Sequence, residues 1–360
     1  MNIGIVISNI CAGAGTERAV TNLANGIAEL TEHTVVIFSV YSSQNSSPYY
    51  ALNPKVEVVH LGHEAKENAL KRVGMYRRLR RELSRYCSEY DLSILMGTIH
   101  SYNCVISTIK DVAKIGCEHI NYEACPKLFR GVRRVAYRRL DRVVLLTNED
   151  RKKYAFLGPE KTAVIPNIRS FYPDTAAGLE NKKIITVGRL QPQKGYDILL
   201  AFADRLKEAL PDWKITIFGD GEMEESLKKT IREKALESFV AIHEPVKSIQ
   251  EELLDSSLYL MTSRNEGLPM VLIEAQACGL PIVSFDCPEG PRDIIHDGED
   301  GFLIPVGDIG LMVDKIIEIA KTPQMRTEMG KRARQNSGNY SSETIVREWT
   351  RLFDEAAGQG

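Results

Sequence analysis

Two glutamates carry the clearest chemical signal in this sequence. Glu266 and Glu274 lie eight positions apart in the stretch RNEGLPMVLIEAQACGLP, residues 264–281. Pro269 suits the first turn of a helix, and a glycine and a proline after Cys278 stop a helix. We therefore expect a helix from about Pro269 to Cys278. Almost all of its side chains are apolar, which predicts a helix buried on every side and therefore a buried Glu274.

A buried carboxylate is costly unless it accepts hydrogen bonds. For Glu274 the donors are either sugar hydroxyls or, in a purely structural role, nearby backbone or a lysine. The segment Glu266-Gly267-Leu268 precedes the helix, where free N–H groups and the positive end of the helix dipole favour an anion. We therefore expect one ligand to contact both glutamates.

A second cluster of chemical groups lies between 188 and 195, in the turn GRLQPQKG. The turn follows a clean strand, Ile184–Val187, and leads into a helix predicted over Tyr196–Ala209. Arg189 and Lys194 bracket it. Two cations at a helix N-terminus make a cradle for a diphosphate, because backbone N–H groups, the helix dipole and the side-chain charges act together.

The first half begins with a strand over residues 3–8, a glycine-containing loop, Cys11–Arg18, and a helix from Ala19. This order predicts a Rossmann-like unit with a parallel sheet. A dinucleotide fingerprint would have a third glycine at the place of Arg18, so NAD is disfavoured. Gly13 and Gly15 still let backbone approach a sugar or an acceptor.

Two histidines lie where strands of this half are expected to end. His100 falls in a polar turn, 97–102, after the strand Leu92–Met96, and His119 follows another expected strand. Ligands bind beyond the carboxyl ends of parallel strands, so both point to the site. Each histidine can also be structural. The position of His119 and the acids adjacent to it make it the better candidate for a site residue.

Length and composition fit a two-domain globular protein, with 360 residues, 43% hydrophobic and 26% charged, and a net charge of -2. Seven cysteines without CxxC pairs favour reduced thiols in the cytoplasm. The first residues form a strand and not a signal peptide, and no apolar run reaches membrane-spanning length. We expect a cytoplasmic protein, free or peripheral on the inner face of the cell membrane.

Charge is unevenly distributed. Residues 1–166 hold 23 Lys and Arg against 16 Asp and Glu, an excess of +7, which leaves -9 for the remainder. Two basic runs, Lys71–Tyr86 and Lys127–Arg142, carry most of it. Such helices can lie on anionic lipid, although an ordinary solvated face is an equal alternative. Nucleic acid is disfavoured, because neither run interleaves aromatic residues densely enough for base stacking.

The chain is expected to divide at a weakly patterned link, 169–183. The predicted domains are 1–168, whose last strand is Val143–Thr147, and 169–341. A C-terminal helix at about 342–357 is expected to pack back on the first domain.

Motifs along nearly the whole chain resemble the retaining glycosyltransferases of family 4, with the GT-B fold. They are GAGTER, CEHINY, IPN, GRLQPQKG, GDG, EGLPMVLIEAQACGLP and GPRDIIHDGEDGFL. The resemblance is most specific in the second half. It implies an α/β fold of two Rossmann-like domains with parallel sheets that face each other across a cleft, the first binding the acceptor and the second the nucleotide-sugar donor.

The resemblance also implies roles for single residues. Arg189 and Lys194 bind the donor diphosphate, Glu266 the donor sugar and Glu274 the ribose, and His119 contacts the donor sugar. The implied catalytic residues are Glu266, His119, Arg189 and Lys194, with Gly188, Gly267, Leu268, Pro269, Met270 and Glu274 completing the donor site. The implied acceptor or sugar loop comprises Gly13, Ala14, Gly15, Arg18, Glu118 and Asn121. Segments such as PVKSI favour a UDP-hexose over a GDP-sugar.

The predicted function is transfer of a hexose from a UDP-sugar to a hydroxyl of a glycan or lipid-linked acceptor in cell-surface polysaccharide synthesis, with retention of configuration. No Asp-x-Asp pair occurs, so no metal or other cofactor is expected. Paired glutamates also suggest a glycosidase, which would need no phosphate cradle. A GT-B nucleotide-sugar epimerase and a catalytically silent nucleotide-sugar-binding subunit remain alternatives.

Overall fold

The structure, a computed structural model, describes residues 1–43, 45–64, 69–119, 122, 127–246 and 248–358. It divides into two compact units. The first comprises Met1–Ile168 and Tyr340–Gly360, and the second Arg169–Asn339.

The first unit contains a seven-stranded parallel sheet flanked by helices. Its strands, in spatial order β3-β2-β1-β4-β5-β6-β7, are β1 (Asn2–Ile7), β2 (Thr34–Ser39), β3 (Val56–His60), β4 (Ile94–Gly97), β5 (Ala113–Glu118), β6 (Arg142–Leu145) and β7 (Thr162–Val164). Its helices are α1 (Gly15–Leu30), α2 (Ala69–Glu89), α3 (His100–Ile106), α4 (Lys127–Tyr137), α5 (Asn148–Lys153) and the C-terminal α13 (Ser342–Ala356).

Alternate side chains of these strands point to opposite faces of the sheet and form two cores. One core joins α1 and α13 to Ile3, Ile5 and Ile37. The other joins α2, α3 and α4 to Val6, Phe38 and their neighbours. Helices α2, α3 and α4 therefore cover the same face of the sheet.

The second unit contains a six-stranded parallel sheet, in spatial order β10-β9-β8-β11-β12-β13. The strands are β8 (Lys183–Val187), β9 (Lys214–Phe218), β10 (Val240–His243), β11 (Leu258–Met261), β12 (Ile282–Phe285) and β13 (Gly301–Ile304). The helices are α6 (Tyr196–Ala209), α7 (Glu224–Glu233), α8 (Gln250–Leu254), α9 (Met270–Ala277), α10 (Pro291–Ile294), α11 (Ile309–Lys321) and α12 (Pro323–Asn336). The predicted α/β class, with two Rossmann-like units and parallel sheets, is confirmed.

Three sequence-based boundaries in the first unit were wrong. Helix α1 begins at Gly15 and not at Ala19, because Ala14 already has the extended conformation of an N-cap residue. The predicted polar turn ends early, since α3 begins at His100 and buries Tyr102. The last strand is β7 and not β6; its three residues are too few to show a periodicity.

Candidate functional site

The order of strands in the second unit reverses between β8 and β11, which pair in parallel. Such a switch point opens a crevice beyond the carboxyl ends of the two strands, where open α/β sheets bind ligands. The turn with Arg189 and Lys194 follows β8, and the turn with Glu266 follows β11. Both predicted groups therefore lie at the same switch point.

Close backbone contacts fix the turn after β8. Gly195 is left-handed, with φ +67°, and a Cβ there would lie 2.0 Å from the Thr262 carbonyl oxygen. A Cβ at Gly219 would lie 1.9 Å from the Gly188 carbonyl oxygen. Only glycine fits these positions. The GDG segment after β9 thus supports the cradle turn, and Leu190 N–H donates to the Asp220 carbonyl at 2.7 Å.

Hydrogen bonds join this turn to the chain that follows β11. Arg264 N–H donates to the Gln193 carbonyl at 2.8 Å, and the Gln193 side-chain amide donates to the Asn265 carbonyl at 2.9 Å. The Arg264 guanidinium donates to the Pro192 carbonyl and to both carboxylate oxygens of Asp197. The two turns therefore form one connected structure.

The connection brings Lys194 and Glu266 into contact. Lys194 Nζ lies 2.7 Å from Glu266 Oε1, and the carboxylate side chain is 7% exposed while the lysine is 21% exposed. The hydrogen bond from the lysine offsets part of the cost of burying this carboxylate. The pair joins the residue predicted for the diphosphate to the residue predicted for the donor sugar.

The mouth of α6 has the features of an anion site. Its N-cap residue, Gly195, has no side chain, and the Asp197 carboxylate in the first turn accepts hydrogen bonds from the N–H groups of Asp197 and Ile198. The helix dipole favours negative charge at this end. Arg189 is exposed on the same turn. The hydroxyl of Tyr196 donates to the Gly188 carbonyl at 3.1 Å and so stabilises the turn.

The turn before α9 presents backbone and carboxylate together. Glu266, Leu268 and Pro269 are buried, and Gly267 and Met270 are partly exposed. Pro269 is the N-cap residue, so α9 begins one position later than predicted. Gly290 holds this turn from the other side, because a Cβ there would lie 1.9 Å from the Gly267 carbonyl oxygen.

Glu274 is fully buried, as its apolar helix predicts. Its Oε1 accepts a hydrogen bond of 2.7 Å from the hydroxyl of Ser170, 104 residues earlier. The sequence offered no signal for Ser170, which lies in the weakly patterned link. At least one donor to Glu274 is therefore structural, and it is a serine hydroxyl and not the backbone or lysine of the structural alternative.

In the first unit, the predicted acceptor residues occupy the start of α1. Gly13 and Gly15 are exposed, Ala14 and Arg18 are partly exposed, and a Cβ at Gly15 would meet no atom within 4 Å. The Arg18 guanidinium lies 5.1 Å from the ring centroid of Tyr50. Asn121 lies outside the described residues.

Glu118, the last residue of β5, lies in a buried polar network. Its Oε1 accepts hydrogen bonds from the Tyr137 hydroxyl and from Asn103 Nδ2, and Arg133 Nη1 lies 3.8 Å from its Oε2. Burial raises the pKa of Glu118 to about 6, against the opposing effects of Tyr137 and Arg133. The sequence grouped Arg133 with the basic run of α4, but it is 1% exposed and points inward.

His119 follows β5 directly. Its side chain is partly exposed but lies among protein atoms, and the resulting desolvation lowers the pKa of its imidazole to about 4. The ring is therefore neutral at pH 7, which suits a hydrogen bond to a sugar hydroxyl better than an ion pair. His100, the first residue of α3, also has a pKa lowered by burial, with a smaller effect of Arg133.

Two further findings concern the described part of the chain. No three of its His, Cys, Asp and Glu side chains are grouped so that they could hold a metal ion. None of its helices combines the length and the apolar character needed to cross a membrane.

Two α/β units, each built on a parallel sheet, have the architecture of GT-B glycosyltransferases, and the residues predicted to bind the diphosphate lie at the switch point of the second. The sequence bears this out. Residues 170–336 match the family Glycosyl transferases group 1, and residues 13–168 match Glycosyltransferase Family 4. The chain belongs to this glycosyltransferase family, and its predicted enzyme class, a hexosyltransferase, is confirmed.

Individual relatives match from end to end. An uncharacterized glycosyltransferase of Haemophilus influenzae is 30% identical over 96% of this chain and 98% of its own length. A Campylobacter jejuni α-1,4-N-acetyl-D-galactosaminyltransferase, named for a GalNAc- and diNAcBac-containing PP-undecaprenol glycan, is 26% identical over 99% of both chains. The crystal structure of a TarM variant from S. aureus, in complex with fondaparinux, α-GlcNAc-glycerol and UDP, has a TM-score of 0.79 at 17% identity and covers 98% of this chain and 99% of that one.

Proposed function

We propose that this glycosyltransferase moves a hexose from a UDP-sugar to a hydroxyl of a glycan or lipid-linked acceptor in cell-surface polysaccharide synthesis, with retention of configuration. The observation that carries the proposal is the contact between Lys194 and Glu266 at the switch point, 2.7 Å apart. A group for the diphosphate and a group for the sugar are thereby held side by side. The UDP in the TarM complex and the lipid-linked glycan in the Campylobacter relative's name support the donor and acceptor classes.

In the proposed reaction, the bond between the anomeric carbon and the β-phosphate oxygen breaks, and the acceptor oxygen bonds to that carbon. UDP leaves, and the hydroxyl proton is released with it. Arg189, Lys194 and the first N–H groups of α6 stabilise the charge that develops on the diphosphate. Glu266 and the neutral His119 orient the donor sugar, and Glu274 contributes to the ribose pocket. Gly188 and residues 267–270 complete the donor site.

We propose that this charge stabilisation needs no metal ion. Two side-chain cations and the positive dipole end of α6 supply positive charge at the diphosphate. Transfer should therefore continue in the presence of EDTA. Loss of transfer in EDTA, restored by Mg²⁺ or Mn²⁺, would reject this part of the proposal.

The cradle is tested by Arg189→Ala and Lys194→Ala. Each removes a charge-assisted contact, so the Kd for UDP in isothermal titration calorimetry should rise roughly 10- to 100-fold, and transfer should fall with it. Lys182→Ala is the matched control, because Lys182 forms an exposed ion pair with Asp212 at 2.9 Å in the same unit. Unchanged UDP affinity in both cradle variants contradicts the assignment.

Glu266→Gln separates sugar binding from diphosphate binding. In the free protein the carboxylate of Glu266 holds Lys194, so UDP must share or take over that lysine. The variant should bind UDP with unchanged affinity, or up to about tenfold more tightly, and yet lose transfer. A variant that transfers sugar at the wild-type rate, or that binds UDP more weakly, contradicts the role of Glu266.

We also propose that α4 brings the first unit to an anionic membrane surface. Phe129, Val132 and Val135 share one face of this helix and are 56%, 57% and 55% exposed. Exposed arginines flank them, namely Arg134, Arg138 and Arg139. Helix α2, with exposed arginines including Arg77 and Arg81, covers the same face of the sheet. An apolar stripe between cations is typical of a helix that lies in a lipid interface.

Vesicle sedimentation tests this surface. The wild type should sediment with phosphatidylcholine vesicles that contain phosphatidylglycerol and not with phosphatidylcholine alone. The variant Val132→Ser/Val135→Ser should lose most of this binding. Val306→Ser is the control, since Val306 is 50% exposed in the second unit. Equal binding to both vesicle types, or equal binding of all three proteins, contradicts the proposal.

A further inference from the structure

Two adjacent tyrosines form an exposed aromatic surface beside the glycine loop of the first unit. Tyr49 is 62% exposed, the largest exposed fraction among the large hydrophobic side chains of the residues that the structure describes. It belongs to the segment between β2 and β3. Together with the adjacent ring of Tyr50 it forms an aromatic pair at the surface, which offers apolar area to a ligand.

Tyr49 is restrained through its backbone and through its ring. Its backbone N–H donates to the Ile10 carbonyl at 3.2 Å. The ring of Tyr50 lies edge-on to it, with centroids 4.9 Å apart and an interplanar angle of 75°. Tyr50 is fixed in turn, because its hydroxyl donates to the Gly13 carbonyl at 3.1 Å and Arg18 stacks over its ring.

One face of the Tyr49 ring covers Gly13. A Cβ at Gly13 would lie 2.8, 3.0 and 3.1 Å from three neighbouring atoms of the ring, Cζ, Cε1 and Cε2. These nearly equal distances place the Cβ position over the ring face and not beyond its edge. A side chain at Gly13 would meet this ring, so the ring would have to move to admit it. Because Tyr49 is 62% exposed, much of its remaining surface is open to solvent or a ligand.

The position of this face indicates what it binds. The glycine loop follows β1 and the tyrosines follow β2, so both lie at the carboxyl edge of the parallel sheet, where α/β units bind ligands. One side of a pyranose ring presents C–H groups that are apolar and slightly positive. The face of an aromatic ring is apolar and negative, so the two are complementary. A ring that is already fixed loses little conformational entropy on stacking.

We propose that Tyr49 is a stacking platform for a pyranose ring of the acceptor, with Gly13 and Tyr50 as positioning residues. This inference rests on the proposed function, because it assigns the acceptor a sugar ring next to the reacting hydroxyl or at it. It adds a subsite that the glycine loop alone does not provide, since a glycine offers backbone contacts but no apolar face.

The kinetic test uses three substitutions at one position. Tyr49→Phe keeps the ring and should behave as the wild type. Tyr49→Leu and Tyr49→Ala remove the aromatic face and should raise the KM for the acceptor about 3- to 10-fold, with unchanged KM for the UDP-sugar and unchanged melting temperature. An unchanged acceptor KM in Tyr49→Ala overturns the proposal. Wild-type kinetics in Tyr49→Leu also overturn it, because apolar area without a π-face would then suffice.

A binding measurement separates this inference from the proposed function. The protein is labelled with 3-fluorotyrosine, and the Tyr49 resonance is assigned by its absence in Tyr49→Phe. Methyl α-D-glucopyranoside, its galacto isomer and their N-acetylamino forms serve as probes. At least one should shift the Tyr49 resonance while that of Tyr172, 46% exposed in the second unit, stays unchanged.

The two measurements fail in different ways. If the wild type releases no UDP from any UDP-sugar but Tyr49 still responds to a pyranoside, the proposed function is wrong and the stacking platform stands. If UDP-sugar is consumed but no pyranoside perturbs Tyr49, the platform is wrong and the transferase function stands.

Discussion

Adding a methyl group to Gly290 should displace the turn that carries Glu266. Gly290 precedes α10 with φ +90° and ψ -57°, a conformation that L-residues rarely adopt. A Cβ at this position would lie 1.9 Å from the Gly267 carbonyl oxygen and 2.5 Å from Pro269 Cδ. Both contacts are with the turn that leads into α9, so the variant Gly290→Ala perturbs the candidate site through its backbone.

The size of the effect follows from these distances. Ordinary van der Waals contact begins at 3.4 Å, so the Gly267 carbonyl must move by about 1.5 Å. Overpacking costs about 1–3 kcal/mol and the positive φ about 1–2 kcal/mol. For a unit of this size, we expect a fall in melting temperature of roughly 5 to 15 °C. A displacement of about 1 Å in a positioning group can lower the rate about 100-fold.

Gly298→Ala is the matched control. Gly298 has φ +77°, and a Cβ there would meet no atom within 4 Å. It should therefore show the cost of the backbone conformation, about 1–2 kcal/mol, with normal affinity for UDP and normal release of UDP from a UDP-sugar. Both variants are compared by thermal unfolding, calorimetry and UDP release. If Gly290→Ala keeps wild-type turnover, or if Gly298→Ala loses as much activity, the contact with Gly267 does not position the site.

Three further predictions concern buried charge. Between pH 4.5 and about 6 the folded protein holds a proton on Glu118 that the unfolded chain has lost. As pH rises through this window, the free energy of unfolding of the wild type should therefore fall by about 2 kcal/mol relative to that of Glu118→Gln, measured by urea unfolding. For His119 the sign is opposite, because its pKa is lowered to about 4. Its contribution to the free energy of unfolding is complete above pH 6.5 and is lost as pH falls towards 4. NMR should show no titration of the His119 imidazole between about pH 5 and 8. Lys194→Ala leaves the carboxylate of Glu266 nearly buried without its cation, and should lower stability by roughly 1–3 kcal/mol, which the second change Glu266→Gln should largely restore in thermal unfolding.

Elements with a strong period or a clear stop signal could be predicted from the sequence. Helix α6 spans Tyr196–Ala209, as expected. Glycine before α6 and the apolar spacing within it define the helix locally. β7 could not be found in this way, because its three residues form a strand only through their pairing with β6.

The chemistry of the candidate site could be predicted better than its contacts. The composition around Glu274 predicted its burial, because an all-apolar helix leaves no solvent face. Its bond to Ser170 could not be predicted, since a serine in an irregular link has no pattern and the two residues are 104 positions apart. Likewise, Arg133 resembled its basic neighbours, and only the packing of α4 on the sheet shows that it points towards Glu118.

The two units differ in how their turns are held, and this explains why motifs in the second half are easier to recognise. At Gly195, Gly219 and Gly290 a Cβ would lie 1.9 to 2.0 Å from a carbonyl oxygen of another turn, so backbone meets backbone. No other residue fits such a contact, and the spacing between turns is fixed along with it. In the first unit the corresponding contact, at Gly13, is with the side chain of Tyr49. A side chain can be exchanged together with the loop that bears it, so a surface built in this way can change its ligand while the turns of the second unit stay the same.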